Sequence, residues 1–257
     1  MIAVLGNLSR DFLPGVPPRT GGGPFHAARA LQHLDTPAII HPRCAPSDRA
    51  ELLPPLVALG SQVRFVPGEA TAGFEMSYVG DRREMTVRAL GDTWAPSDLP
   101  ALPEEARWVH LAPLARSDFP AETLAAAATR GRRLSLDGQG LVRPSRTGPL
   151  VLDGEFDPEV LRHVWVLKLN DEEAEAVGDP ARLGVRELLL THGARGATVV
   201  TDGRVHEVPA FPLDGDPTGA GDGFCVSYLA GRSAGLAPPA AARRATAVVA
   251  AMMADAP

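Results

Sequence analysis

Asp216-Pro217-Thr218-Gly219-Ala220-Gly221-Asp222-Gly223-Phe224 places three small residues directly before a carboxylate, and an apolar-periodic segment (Phe224, Val226, Tyr228, Leu229) follows at once. Small residues let the backbone turn tightly and bring its N–H groups close to a ligand. A helix starting near Thr218 leaves its first N–H groups without intrahelical partners and places roughly half a positive charge there. This reads as an anion site suited to phosphate. Asp222 stands at its rim as an ionised carboxylate able to accept a proton. The competing reading is a loop feeding a helix with an acidic first turn. Seven consecutive residues that all suit one chemistry favour the site.

Composition bounds what surrounds this stretch. A chain of 257 residues, 45% hydrophobic and 22% charged, is ordinary for a globular α/β protein with a substantial core. Its net charge of −6 argues against nucleic-acid binding, which needs a basic surface. No apolar run approaches a membrane span, and no basic segment with an apolar core opens the chain, so a cytoplasmic protein is expected. Cys44 and Cys225 are far apart and read as free thiols. Lys168 is the only lysine among 25 basic residues, and Asn7 and Asn170 are the only asparagines.

Strands and helices alternate along the chain. Ile2–Leu5 reads as a buried parallel strand ending at Gly6-Asn7, with Asp11 on the loop leaving it. Ligands collect beyond the carboxyl ends of such strands, which places Asn7 and Asp11 well. Thr20-Gly21-Gly22-Gly23-Pro24 leads into a helical run carrying His26 in its first turn, and the glycines permit close approach to a ligand. Strands are expected at 38–40, 62–66, 108–111, 133–136, 164–169 and 187–190, and helices at 47–59 (capped by Ser47), 121–129 and 238–253. Phe74–Val79 and Glu84–Ala89 alternate around Gly80-Asp81 as a hairpin, a candidate lid; Ala197–Thr201 and Val205–Val208 form another. Asn170 through Glu173 has the spacing of a capping box, and that structural reading stands beside any role in binding.

Several chemistries are excluded. Gly-x-x-x-x-Gly-Lys-Ser/Thr, a Gly-x-Gly-x-x-Gly after the first strand, and Gly-x-Ser-x-Gly are all absent. His41 and Cys44 lack a second pair to complete a zinc site.

Asp216 to Asp222 resembles the C-terminal signature of the ribokinase-type (PfkB) carbohydrate and nucleoside kinases. Gly21-Gly22 before a helix, Asn170-x-x-Glu173 and Thr191-x-Gly193-Ala194-Arg195-Gly196 match that family in the same order. The resemblance implies one ribokinase-like domain over 1–257: a three-layer α/β/α architecture with a central, mostly parallel sheet and a reduced β lid drawn from about 10–20 and 72–90. It implies transfer of the ATP γ-phosphoryl to a hydroxyl of a small sugar or polyol, with Asp222 as general base and the Gly219, Ala220 and Gly221 backbone as anion hole. Asn170 and Glu173 would organise Mg²⁺ through water, and Thr191, Gly193, Gly196 and Thr218 would border the nucleotide. Asp11, Gly21, Gly22 and His26 would meet the acceptor. Asp216 resembles a position that holds K⁺ in some members.

Two departures bear on the acceptor. His26 stands where the family usually carries Asn, and only nine residues separate Asp11 from Gly21. An aromatic content of 5% favours a sugar or cyclic polyol over a nucleoside, which remains the alternative together with a silent sugar- or nucleotide-binding sensor. The expected partner is a small molecule, with neither nucleic acid nor membrane, in a monomer or homodimer.

Overall fold

The computed structural model describes residues 1–79, 82–211 and 217–254. Strand β1 (Ile2–Asn7) is followed by two short strands, β2 (Ser9–Phe12) and β3 (Arg19–Gly21), and then α1 (Gly23–Leu31). Next come β4 (Ala38–Cys44), α2 (Arg49–Val57), β5 (Gln62–Val63), β6 (Val66–Pro67) and the long pair β7 (Ala72–Val79) and β8 (Arg82–Ala89). A regular alternation then runs through β9 (Trp108–Ala112), α3 (Ala121–Ala127), β10 (Arg133–Asp137), α4 (Gln139–Val142), β11 (Gly148–Pro149), β12 (Val164–Asn170), α5 (Asp171–Val177) and β13 (Glu187–Thr191). The hairpin of β14 (Ala197–Thr201) and β15 (Arg204–Val208) precedes α6 (Ala220–Ser233) and α7 (Pro238–Ala254).

Two sheets result. The central one runs β15-β14-β13-β12-β10-β9-β1-β4-β5, with β6 also on β4. From β13 to β5 its neighbours are parallel, while β14 and β15 are antiparallel. The smaller sheet, β11-β8-β7-β2-β3, takes residues from both stretches read as lid and adds Gly148–Pro149.

Alternation along the strands builds both faces of the central sheet. Ile2, Val4, Ile40 and Val166 pack under α1, α2, α6 and α7, with Leu52, Tyr228 and Leu229 among their buried neighbours. Ala3, Leu5, Leu134, Leu136, Leu167 and Leu169 pack on the opposite face with Leu124 of α3. Each fully buried leucine contributes about 2 kcal/mol. Ser135 lies on the α6 side instead, its hydroxyl 3.2 Å from Cys225 Sγ. Phe74, Val87, Ala72 and Leu114 make a separate small core under the second sheet.

The structure corrects several local expectations. Asp11 belongs to strand β2 rather than a loop: the chain crosses from the central sheet to the smaller one at Leu8, and β2 pairs with β7. Residues 47–59 enter their helix through a 3₁₀ turn, Pro46–Asp48, and Ser47 provides no cap. The expected strand 62–66 is two fragments, β5 and β6, which touch β4 at different points. The Gly80-Asp81 turn lies outside the described residues.

Candidate active site

Helix α6 begins at Ala220, two residues later than the sequence suggested, because Gly219 adopts a left-handed conformation (φ 81°) that no continuing helix contains. Glycine is required there a second time, since a Cβ would overlap the His26 ring. The Ala220 N–H donates to the Pro217 carbonyl (3.0 Å) and Gly223 N–H to the Gly219 carbonyl (2.9 Å). In this conformation, then, Ala220 spends its N–H inside the turn. Gly221 and Asp222 sit in the first helical turn, where N–H groups point out of the helix end. Thr218 is half-buried in the same turn, and Asp216 lies outside the described residues.

The residues expected to meet the acceptor gather around Gly21–Gly23. Asp11 is buried, accepts a hydrogen bond from Ser9 Oγ (2.6 Å), and lies flat on Gly21, where any Cβ would overlap its carboxylate. Gly22 caps α1 with φ 95°, and its carbonyl accepts the Phe25 and His26 N–H groups. A Cβ on Gly23 would stand 3.0 Å from Asp222 Oδ1. Asp11 and Asp222 therefore flank one three-glycine turn. His26 packs against Gly219 and Phe25, joining α1 to the glycine loop. Arg143 reaches over the Phe74 ring of the second sheet at 5.8 Å.

Asn7 is committed elsewhere. Its amide nitrogen donates to the Asp92 carbonyl (2.8 Å) and the Asp118 carboxylate (3.1 Å), and its oxygen accepts from the Trp94 indole N–H (3.2 Å). It ties the end of β1 to the segments on both sides of β9, a structural role.

Behind the glycine loop lies a cluster that sequence reasoning passed over. Asp137 and Lys168 face each other in the parallel register of β10 and β12, both buried. The Lys168 ammonium is 3.3 Å from Asp137 Oδ2 and 3.4 Å from Glu173 Oε2. Burial works against its charge, but Asp137, Glu173 and Asp222 outweigh that penalty and raise its pKa. Burial and the charge of Asp137 push the Asp222 carboxyl up to about 7, against the pull of Lys168 and Arg143. Burial also raises Glu173, with Lys168 opposing it. A signal existed: Lys168 is the sole lysine, two residues before Asn170, and Asp137 ends a parallel strand where ligands gather.

At the end of β12 the capping box is complete. Glu173 N–H donates to Asn170 Oδ1 and Asn170 N–H to Glu173 Oε2, both at 2.8 Å. Beside it, Thr191 is the register partner of Asn170 and donates its hydroxyl to the Leu169 carbonyl (3.4 Å). Gly193 and Gly196 bracket a single 3₁₀ turn with φ of 57° and 105°. His192 Nδ1 and Arg195 both reach the Asp171 carboxylate at 2.6 Å. The bond from His192 holds Asp171 below the usual carboxylate range.

Among the described residues no group of three or more His, Cys, Asp and Glu side chains could cage a metal ion. Mg²⁺ needs no such cage, since it keeps several waters and takes one or two carboxylates together with phosphate oxygens. Glu173 fits that requirement: its Oε2 is spent on the capping box and Lys168, and Oε1 is its remaining oxygen. No helix among the described residues is long and apolar enough to cross a membrane.

Comparison with known proteins agrees with this fold. The cytidine kinase of Thermococcus kodakarensis is 29% identical over 193 residues, which is 68% of this chain and 66% of that protein. The inositol 3-kinase of Zea mays is 31% identical over 172 residues, 65% of this chain and 44% of its own length, so the match spans less than half of that relative. The solved structure of a pyrophosphate-dependent kinase in the ribokinase family, complexed with a pyrophosphate analog and myo-inositol, superposes with a TM-score of 0.84 at 26% identity, covering 99% of this chain and 95% of that one. A family model described as pfkB family carbohydrate kinase matches residues 78–255, and the chain belongs to that family.

Proposed function

We propose that this protein is a carbohydrate kinase that transfers a terminal phosphoryl group to one hydroxyl of a small cyclic polyol of the inositol class. The observation that carries the reading is Asp222. It is buried in the first turn of α6, next to the glycine turn, against the same Gly21–Gly23 segment on which Asp11 rests. The acceptor lies over that segment with its hydroxyls on Asp11. Asp222 takes the proton of the attacking hydroxyl, and a carboxyl held near 7 is matched to that task at neutral pH. The N–H groups of Gly219 and Gly221 face the transferred phosphoryl, joined by Ala220 once its bond to Pro217 opens. Phosphoryl transfer needs positioning and charge stabilisation more than covalent help. When bound, Mg²⁺ would neutralise the donor phosphates, with Glu173 and Asn170 holding its water shell.

The inositol class is favoured by the inositol 3-kinase likeness and the myo-inositol bound in the solved structure described above. The cytidine kinase likeness keeps a nucleoside as the second acceptor. ATP is the donor that the glycine loop and the Thr191–Gly196 rim suggest. A second donor, inorganic pyrophosphate, is favoured by the likeness to a pyrophosphate-dependent kinase.

The test crosses both donors with inositols, pentoses, hexoses and nucleosides, reading ADP or orthophosphate release. Turnover is expected with an inositol; turnover with nucleosides alone would replace the polyol reading, and none with any acceptor would sink the kinase. Asp222→Asn is expected to lower kcat by about 10³-fold or more while donor affinity stays within a few-fold. Unchanged turnover in that variant would remove Asp222 as the base.

A further inference from the structure

The buried cluster behind the glycine loop asks why one lysine sits there in a chain whose other 24 basic residues are all arginine. Nζ can donate three hydrogen bonds in a tetrahedral arrangement from a compact head, whereas a guanidinium is a broad planar fork. Three carboxylates act on this ammonium: Asp137 opposite it in the sheet, Glu173 in the first turn of α5, and Asp222 in the first turn of α6. The ammonium also lies close to the loop. A Cβ built on Gly221 would lie 2.9 Å from Nζ, and no atom of Asp137 or Glu173 comes as near to that point. Asp137 and Glu173, its two ion-pair partners, thus stand farther from that point on Gly221 than the ammonium does.

We propose that Lys168 is the donor-positioning cation of the phosphate site. Fixed from below by Asp137 and Glu173, it lies behind Gly221 and draws the donor phosphates onto the backbone N–H groups of the glycine loop. Three clustered carboxylates would otherwise repel a polyanionic donor from that loop; the lysine offsets one charge at the point nearest the incoming phosphates. Burial strengthens the effect, because charges shielded from water interact more strongly. The loop also needs glycine at 221 for this reason, since a side chain there would displace the ammonium. This inference rests on the assignment of the glycine loop as a phosphate site in the proposed function, and extends it to a residue outside the loop.

The test is calorimetric titration of Mg²⁺–imidodiphosphate and of Mg²⁺–AMPPNP, the analogues of the two candidate donors, beside steady-state kinetics for the acceptor. Lys168→Met is expected to weaken at least one analogue tenfold or more, to weaken orthophosphate less because it carries less charge, and to leave the acceptor KM within twofold. A residue that merely supports the fold would lower thermal stability without this dependence on ligand charge. Lys168→Arg is expected to recover less than a third of the loss, because the fork cannot occupy the ammonium's place. If Lys168→Met does not fold, Lys168→Met/Asp137→Leu removes the ion pair while keeping the net charge of the cluster, an exchange that buried pairs often tolerate. That variant is expected to bind the donor analogue at least fivefold more weakly.

Donor affinity within twofold of wild type in a folded Lys168 variant overturns the proposal. So does a wild-type protein that binds neither analogue. A wild type that binds a donor analogue yet phosphorylates nothing in the acceptor panel counts against the polyol kinase alone, and the calorimetry then decides on Lys168 by the same thresholds.

Discussion

Asp222 carries a stability cost that follows from its burial, the same burial that suits it to the proposed role of base. Its carboxyl is raised from the ordinary value of 3.8 to about 7 by burial and Asp137. Between those values the folded state binds more protons at this site than the unfolded state, so stability falls as pH rises from about 4 to about 7 and then levels off. Asn has no charge to bury. Asp222→Asn is therefore expected to melt at nearly the wild-type temperature at pH 4.5 and several degrees higher at pH 8, while its turnover collapses. Thermal melts of both proteins across that range check the sign, and a gap that shrinks with rising pH would contradict the electrostatics. The same contrast separates what could be read from the sequence at this scale. Gly219, Gly221 and Asp222 fall within four consecutive residues, so their chemistry is visible in one string. Asp137 and Lys168 meet only because β10 and β12 pair in parallel, and Asn7 is spent on Trp94 and Asp118, far away in sequence. No local pattern encodes those partners.

Elements were legible wherever hydrophobic period and caps coincide. Strands β1 and β12 follow from continuous apolar runs, the start of α5 from an Asn cap, and that of α7 from a proline. Strand β2 was missed because its inward residues, Ser9 and Asp11, are polar, so its alternation of burial leaves no alternation of hydrophobicity. The capping box at Asn170 belongs equally to a helix start and a metal shell, and substitution can part the two. Asn170→Ala removes the bond to Glu173 N–H and should cost about 1 kcal/mol, whereas Asn170→Ser, also a good cap, should cost only a few tenths. For a protein of this size that is about 2–4 °C for Ala and under 1 °C for Ser. If the amide also organises the donor's metal shell, both variants lose Mg²⁺-dependent binding of imidodiphosphate or AMPPNP alike. Donor affinity that tracks melting temperature instead would make Asn170 a cap alone.

The whole molecule divides its labour between two sheets. Groups assigned to the donor lie at the carboxyl ends of β10, β12 and β13 and the start of α6, all in the central layer. Asp11 comes from the smaller sheet, carried there when the chain leaves β1 at Leu8, and returns to the site through Gly21 at the end of β3. That return explains why βα rhythm predicted the central layer well and the smaller sheet only in outline: β2 and β3 are three or four residues long, and β11 is two. It also predicts how variants combine. If Asp11 holds the acceptor as proposed, Asp11→Asn removes a charge-assisted acceptor of substrate hydroxyls, worth about 1.5–3 kcal/mol, and should raise the acceptor KM roughly ten- to a hundredfold. Donor affinity should stay within twofold, because Asp11 bonds to Ser9 and rests on Gly21, whereas Glu173 bonds to Asn170 and Lys168. Glu173→Gln should do the reverse, weakening donor binding and sparing the acceptor. Sites without shared partners add within about 0.5 kcal/mol, so the double variant should show the sum of both losses in kcat/KM. A markedly smaller loss would mean that the two ends are coupled, through the Gly21–Gly23 turn that touches both Asp11 and Asp222.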